Sequence, residues 1–250
     1  MGIIMRFPRR WFPPLAVAMA LASAGMPHAQ ALLTYDLEVT SLNGEAPTGD
    51  NTPKTLTVTT GDVLAFQIFA RVTGAAGNPG LEGFTHGYFG LGSSLGGGIE
   101  VNCNGPITLH PLFADAGSQT GTPFDRDGDG DLDLGTTDAV PNTTLLRPVA
   151  AITVTDGTPI LNGTQFELGK GHFTIGTTTP ASTVTVNAII PGGTFNVRAQ
   201  WQEDGVGRFG FLSLMSTGVP ITLSTAVPEP GSALFLMLGT IGLLGRRRRR

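Results

Sequence analysis

The clearest structural pattern in the sequence is GDVLAFQIFARV, which spans residues 61–72. After a Gly-Asp turn, apolar side chains recur at every second position from Leu64 to Val72, and Gln67 and Arg71 occupy the opposite face. Successive side chains of a β-strand point to opposite faces, so this alternation lets one face be buried while the other is solvated. The segment therefore predicts a half-buried strand.

The same period of two recurs along most of the chain. It is clear in Leu33–Val39, Val184–Ile190 and Phe195–Trp201, and weaker in Thr55–Thr60, Phe84–Leu91, Val149–Thr155, Gly171–Thr177, Arg208–Leu214 and Pro220–Thr225. Clusters of Gly, Pro, Asn and Asp separate these segments, as tight turns require, and no convincing helical period appears between them. The pattern predicts an all-β fold, a single antiparallel β-sandwich of jelly-roll type.

The two ends of the chain differ from this body, and three parts are predicted: residues 1–31, 32–226 and 227–250. The first part has three arginines before position 11, a short apolar run from Leu15 to Ala24, and Ala29-Gln30-Ala31. A basic start, a short apolar run and an A-x-A site are typical of a secretory signal peptide, here with cleavage after Ala31. The run is shorter than the roughly 20 residues that span a bilayer.

The net charge and the cysteine content limit the functions that this chain can have. Residues 32–227 contain seven basic and eighteen acidic residues, a net charge of −11. A body this acidic repels phosphate groups, so a nucleic-acid partner is excluded. Cys103 is the only cysteine, so the exported chain has no internal disulfide, and this residue is interpreted as a small buried apolar side chain.

Residues 105–148 lack strong alternation and are predicted to form a long loop outside the sandwich, which contains the acidic run DRDGDGDLD. Carboxylates at every second position, with glycine at the sixth, match the first half of an EF-hand calcium loop. In that arrangement the side chains of three aspartates and the backbone carbonyl of a fourth bind calcium, and a fifth binds directly or through water. These residues are Asp125, Asp127, Asp129, Asp131 and Asp133, in that order.

The match to the EF-hand ends after this run. The twelfth position is Thr136 instead of a bidentate glutamate, and no amphipathic helix flanks the loop. Asp138 is available as a later ligand. The alternative interpretation is a solvated acidic turn. A calcium ion here is expected to order the loop and to take no part in catalysis.

No catalytic constellation is evident in the sequence. Residues 92–96 read Gly-Ser-Ser-Leu-Gly and match G-x-S-x-G, with Ser94 at its centre. That motif works at a strand-to-helix turn of an α/β sheet, whereas two further glycines and an all-β context surround it here. His86, His110 and His172 have no zinc-ligand spacing. The body is therefore predicted not to be an enzyme, and a secreted hydrolase is the least favoured class.

The C-terminal part combines a short motif, an apolar segment and a basic cluster. Val227, Pro228, Glu229 and Pro230 precede the apolar residues 231–245, and the chain ends in Arg246, Arg247, Arg248, Arg249 and Arg250. An apolar segment followed by arginines stops transfer through a membrane, with the arginines on the cytoplasmic side. The arrangement resembles the PEP-CTERM sorting signal of Gram-negative bacteria. The resemblance implies a transmembrane sorting helix, transient membrane anchoring, cleavage by an exosortase, and delivery to the cell surface or extracellular matrix.

The body also resembles cohesin-type sandwiches, through Leu56-Thr57-Val58, through Gly61–Phe66, and through Gly80–Phe84. This resemblance implies a nine-stranded jelly roll that binds partners. Taken together, the sequence predicts an exported, non-enzymatic surface or matrix protein sorted by exosortase, with a calcium-ordered loop. Extracellular polysaccharide or another surface protein is its expected partner. The alternative is a calcium-dependent glycan- or protein-binding adhesion module.

Overall fold

A computed structural model of the chain describes residues 32–74, 81–94, 97–126, 128–135, 145–190, 199–203, 206–209 and 214–227. All of them lie in the second of two units into which the chain divides, Ala31–Arg250. Within these ranges the secondary structure consists of β-strands and one 3₁₀ turn. The described residues include no helix of the length and apolarity that a membrane span needs. The prediction of an all-β body is confirmed.

Nineteen strands occur in the described ranges, several of them only two residues long. In chain order they are β1 Leu32–Leu42, β2 Thr55–Thr57, β3 Val63–Thr73, β4 Gly83–Gly87, β5 Gly90–Ser93, β6 Ile99–Cys103, β7 Thr108–Leu109, β8 Gln119–Thr120, β9 Pro123–Phe124, β10 Asp133–Leu134, β11 Leu146–Arg147, β12 Val149–Val154, β13 Thr158–Ile160, β14 Gly163–Thr178, β15 Thr183–Ile189, β16 Ala199–Glu203, β17 Val206–Phe209, β18 Met215–Thr217 and β19 Ile221–Ser224. The 3₁₀ turn is Pro111–Phe113.

The largest sheet has seven strands and is built around β3. Its order is β13-β14-β3-β1-β18, and β6 and β7 add to β14. Strand β3 lies in the centre of this sheet, as its alternating sequence suggests. Most of its apolar side chains are buried, and its polar side chains are half-buried. Both neighbours of β3 run antiparallel to it, with Ile68 opposite Leu37 on one side and opposite Gly169 on the other.

The second sheet has six strands in the order β2-β19-β15-β5-β10-β9. A third sheet, β12-β4-β16-β17, and a two-stranded sheet, β11-β8, complete the fold. Two pairs of strands are parallel, β1 with β18 and β2 with β19. The prediction of purely antiparallel pairing is corrected at these two places, where strands distant in sequence join the sheet edges without a hairpin.

One apolar cluster fills the space between the sheets and draws side chains from all three larger ones. Aromatic rings are its largest members. Tyr35 stacks on Phe89 with ring centroids 4.5 Å apart, and Phe66 stacks on Phe173 at 4.3 Å. Trp201 is also fully buried. Because no disulfide supports the described part of the chain, burial of this cluster is the main source of stability.

Several predicted strand boundaries differ from the structure. Residues 84–91 form two strands instead of one, because β4 pairs in the third sheet and β5 in the second. Residues 171–177 are only the second half of the 16-residue strand β14. The predicted loop 105–148 is not a single excursion, since β7 to β11 and the 3₁₀ turn lie within it. Residues 195–198 and 210–213 of two other predicted strands lie outside the described residues.

Candidate functional site

The acidic run forms the connection of a short hairpin between β9 and β10. Asp133 pairs with Phe124 across this hairpin, and Leu134 pairs with Leu91 of β5. The hairpin therefore extends the edge of the second sheet. This pairing brings the acidic residues next to the end of β5.

Asp133 is buried and both of its carboxylate oxygens accept hydrogen bonds. Oδ1 accepts from the backbone N–H of Ser93 at 3.0 Å, and Oδ2 accepts from Arg126 Nε at 3.0 Å. Gly92 leaves room for this contact, since a Cβ there would lie 2.9 Å from Asp133 Oδ1 and 2.8 Å from an Arg126 nitrogen. These hydrogen bonds hold the loop against β5. The carboxylate that the sequence assigned to calcium therefore already accepts hydrogen bonds from the protein.

Asp131 is also buried, with 3% of its surface exposed. Its Oδ2 accepts a hydrogen bond from Ser93 Oγ, whereas its Oδ1 is buried without a hydrogen-bond partner. Burial raises the pKa of Asp131 to about 7, and the charges of Asp129 and Asp133 add to this effect, although the Ser93 hydrogen bond opposes it. A buried carboxylate with a free oxygen is costly unless a proton or a cation compensates it.

Asp125 and Asp129 bond to the backbone of the loop itself. Asp125 accepts from the N–H groups of Gly128 at 2.7 Å and Gly130 at 3.3 Å, and Asp129 accepts from that of Asp131 at 3.2 Å. Gly128 and Gly130 have φ angles of 82° and 99°, which glycine adopts without steric cost. Gly130 therefore makes the sharp turn that the motif predicted.

A cavity of about 160 Å³ lies between the loop and the edge formed by β6 and β14. Its lining includes Asp129, Asp131 and Glu100. Glu100 lies on β6, and its Oε2 accepts from the N–H and hydroxyl of Thr177 at 3.0 Å each. The backbone N–H of Thr177 contributes most to lowering the pKa of Glu100.

Asn102 connects Glu100 to the loop. Its side-chain nitrogen donates to Glu100 Oε1 at 2.8 Å, and its Oδ1 accepts from the N–H of Leu132 at 3.0 Å. Glu100 was missed in the sequence because it is far from the aspartate run along the chain. The alternation of the segment from Ile99 to Cys103 is the pattern that would have marked it as a strand.

No three His, Cys, Asp or Glu side chains of the described ranges are grouped closely enough to hold a metal ion. Asp127, Thr136 and Asp138 lie outside these ranges. The structure therefore brings Asp125, Asp129, Asp131 and Asp133 into one hairpin, but it gives them different partners. The calcium prediction stays a prediction.

The G-x-S-x-G segment begins in β5, where Ser93 is buried against Asp131. Ser94 is exposed and its Oγ accepts from the N–H of Thr185 at 3.0 Å. Leu95 and Gly96 lie outside the described residues. Ser94 thus takes part in the pairing of β5 with β15.

The three histidines of the body lie on different elements. His86 is on β4, His172 is on β14, and His110 caps the 3₁₀ turn. Burial raises the pKa of Cys103 to about 12, so its thiol stays protonated and unreactive at neutral pH.

The last described strand, β19, ends at Ser224, and three residues separate it from Pro228. After β19, Thr225 donates its N–H to Ser182 O at 3.0 Å and its hydroxyl to Thr179 O at 2.7 Å. The N–H of Ser182 in turn donates to Thr225 Oγ1 at 2.9 Å. Val227 is 69% exposed, and residues 228–250 lie outside the described residues.

A protein-sorting motif accounts for this end of the chain. Residues 226–250 match the PEP-CTERM protein-sorting motif. This motif implies export, a membrane-anchored intermediate, and sorting by exosortase to the cell surface. The predicted resemblance to this sorting signal is confirmed.

The body is weakly similar to chains of solved structures. A chain of the crystal structure of the CaDoc0917–CaCohA2 complex aligns with a TM-score of 0.35 and 8% sequence identity, covering 78% of this chain and 99% of that chain. At this level no function is transferred from it. No curated protein gives a significant sequence match.

Proposed function

We propose that the protein is a non-enzymatic component of the cell surface or extracellular matrix, delivered there by exosortase processing. The observation that carries the proposal is the match of the PEP-CTERM protein-sorting motif to residues 226–250. The acidic, cysteine-poor body supports an extracellular structural or binding role. Extracellular polysaccharide or another surface protein is the proposed partner there.

Replacing Pro228 and Pro230 by alanine tests the delivery route. The variant is expected to accumulate as an unprocessed, membrane-bound precursor, because the extended motif is the segment that a processing enzyme's groove would bind. Cell fractionation and precursor size measure this. Pro159→Ala on the exposed strand β13 is the matched control and is expected to be processed normally. Normal processing of the double variant would contradict the proposal.

The acidic hairpin is proposed to be ordered by calcium. The support is the buried, unpartnered Oδ1 of Asp131 beside Asp129 and Asp133, since a hard divalent cation removes the repulsion among such carboxylates. We expect calcium to raise the melting temperature and to give measurable heat in calorimetry. No heat and an unchanged melting temperature would exclude the site.

A second proposal is calcium-dependent adhesion. It is favoured by an open groove of about 510 Å³ between the 3₁₀ turn and β12, in which Leu112 is 51% and Ile152 is 77% exposed. Exposed apolar surface of this kind is common at sites that bind partners. Binding to a glycan array or to matrix proteins that disappears with chelator, and weakens in Ile152→Glu, is the expected result. Binding that neither change affects would contradict it.

A further inference from the structure

Strand β12 ends the third sheet, and most of its outer edge is open. Its inner edge pairs with β4, at Val149 and Val154. On the outer side, the chain that follows the 3₁₀ turn meets only the start of β12, where the N–H of Asp115 donates to Val149 O at 3.0 Å. No strand of the described ranges pairs with residues 150–154 on that side. Such an edge presents backbone N–H and C=O groups to an added strand.

The open groove of about 510 Å³ between the 3₁₀ turn and β12 runs along this edge. Residues 150–156 line one side of it, which gives the groove a length of about 20 Å at the rise of a β-strand. Ala150 and Ala151 have small side chains, so another backbone can approach the edge closely. This shape fits an extended segment of about six residues.

The opposite side of the groove is fixed by the core. Phe113 of the 3₁₀ turn is 1% exposed and packs edge-on against Phe84, with ring centroids 5.5 Å apart. The N–H of Phe113 also donates to His110 O at 2.8 Å. Leu112, the neighbour of Phe113, is exposed and lines the groove. Because the turn is already anchored, little of it has to be ordered when a partner binds.

The lining favours a peptide over a saccharide. Most of its side chains are apolar, with Ile152 the most exposed, and the exceptions are two threonines, Asp115 and Asp156. A saccharide needs many polar side chains to bind, and the described lining also has no aromatic ring for a sugar to stack on. A peptide backbone, in contrast, can pair with the strand edge along its whole length.

The charge of the lining favours a partner with basic ends. Asp115 lies at the start of β12 and Asp156 lies just beyond its end, and the described lining contains no Lys or Arg. A segment with a basic residue at each end would complement both carboxylates. A second copy of the chain fits poorly. If two copies paired antiparallel through β12, Asp156 of each would approach Asp115 of the other, and like charges repel.

We propose that this groove binds an extended segment of another protein, which pairs with β12 as an added strand. Its apolar side chains pack on Leu112 and Ile152, and its Lys or Arg side chains lie beside Asp115 and Asp156. Backbone pairing supplies affinity, and the apolar and charged contacts select the sequence of the partner. The inference rests on the proposed adhesion role of the groove and names the class of partner.

Titration of a fluorescein-labelled peptide, Lys-Val-Thr-Val-Thr-Val-Lys, with the processed protein tests this by fluorescence anisotropy in buffer that contains calcium. Ile152→Glu is expected to weaken binding about tenfold or more, because it removes a central apolar contact. Leu161→Glu, at a leucine that is 88% exposed outside the groove, is the matched control and is expected to bind like the native protein. Circular dichroism confirms that each variant is folded.

Two further measurements test the backbone pairing and the charges. The same peptide with N-methylated valines keeps its apolar side chains but loses backbone donors, so it is expected to lose most of its binding. Asp156→Asn is expected to make binding less sensitive to salt, because one exposed charge pair is removed. Aspartate 156 is exposed, so the fold tolerates this change.

The outcomes separate this inference from the proposed function. Binding that N-methylation and Ile152→Glu both weaken, with the control unchanged, supports it. No saturable binding up to about 1 mM, or equal binding of the N-methylated peptide, overturns it. Glycan-array binding that Ile152→Glu abolishes, without peptide binding, overturns it but supports adhesion. Dimerisation in analytical ultracentrifugation that Ile152→Glu abolishes also overturns it, because the groove then holds a second copy. None of these results affects the sorting route.

Discussion

Gly87 shows how tightly single residues are packed in this core. It lies on β4, where an added Cβ would be 1.7 Å from the hydroxyl oxygen of Tyr35 and 3.3 Å from the Cβ of Ala199. Tyr35 is fully buried and stacks on Phe89, so it has little space to move away. We expect Gly87→Ala to lower the free energy of unfolding by about 1–3 kcal/mol, as overpacking does. Urea denaturation measures the change.

Gly207 provides the matched control for this substitution. It lies on β17, where nothing is within 4 Å of an added Cβ. Gly207→Ala is expected to change stability by less than about 0.5 kcal/mol, as most surface substitutions do. Equal losses in both variants would show that loss of glycine itself, and not contact with Tyr35, is responsible.

His86 couples stability to pH. Burial lowers the pKa of His86, and the charge of Arg147 lowers it further. The unfolded chain, with a histidine pKa near 6.5, therefore binds a proton more readily than the folded protein. As pH falls below about 6.5, this group is expected to destabilise the fold, and the effect levels off below its folded pKa.

The measurement is the difference in unfolding free energy between native protein and His86→Gln from pH 8 to pH 5. The variant is expected to lose less stability than the native protein on acidification. His172→Gln, at an exposed position of β14, is the control. If the unfolding free energies of native protein and His86→Gln change equally with pH, His86 does not couple stability to pH.

At the scale of elements, Asp36 connects several strands. It is fully buried on β1, pairs with Arg71 of β3 at 2.7 Å, and pairs with Lys54, which also donates to Val219 O at 3.0 Å. The cluster thus joins β1, β3, and the connection before β19. Gly218 makes room for it, since an added Cβ would lie 2.1 Å from Asp36 Oδ1.

Asp36→Asn is expected to destabilise the protein by about 2–4 kcal/mol, because Lys54 and Arg71 lose a buried counterion. Lys54 and Arg71 are partly exposed, so water solvates their charges and the loss of stability is smaller than for fully buried cations. Thermal and urea unfolding measure it. Asp156→Asn, at an exposed turn before β13, is the matched control and is expected to be nearly neutral. A loss no larger than in this control would contradict the role of the cluster.

The elements also show which parts of the fold the sequence determines. Strands β1, β3 and β15 were predicted correctly. Each buries one face, and this produces an alternation of apolar and polar residues that is visible in the sequence. The first half of β14 was missed because glycines interrupt its pattern. Gly163 and Gly169 leave room for neighbouring strands there, since an added Cβ would lie 2.1 Å from Val72 O at Gly163 and 2.7 Å from Thr108 O at Gly169. The two-residue strands are too short to show any alternation.

For the candidate site, too, the sequence predicted one part and missed another. The Asp-x-Asp-x-Asp-Gly spacing located the hairpin and its turn glycine, since that geometry is local. The burial of Asp131 and Asp133, and the approach of Glu100, depend on β5 and β6, whose contacts with the hairpin are 40 and 30 residues away along the chain. Local spacing has no information on such contacts. The sequence therefore assigned all five aspartates to one calcium loop and gave no sign that Asp133 bonds to Ser93 and Arg126.

At the scale of the whole molecule, the folded body lies close to the processing motif. Thr225 is held by Thr179 and Ser182, so only Ala226 and Val227 separate it from Pro228. Two extended residues reach about 7 Å. An enzyme that binds the motif in an extended form must therefore approach the end of β19 closely.

Inserting a flexible six-residue Gly-Ser segment between Ala226 and Val227 is expected to speed processing, because the motif then enters the enzyme without contact with the body. Pulse-chase measurement of the precursor gives the rate. The same insertion at the exposed Leu161-Asn162 turn is the control and is expected to leave the rate unchanged. Equal rates for the two insertions would show that the body does not limit access.

The position of β19 also determines how the molecule responds to mechanical load. This strand lies between β2 and β15, with hydrogen bonds to both that run across its axis. A load applied at Val227 in the direction of the strand would act along that axis. The bonds on both sides are then loaded in shear and share the force, instead of opening one after another as in a peeled hairpin. Among the described strands, β19 is therefore the one that would carry a load applied at Val227.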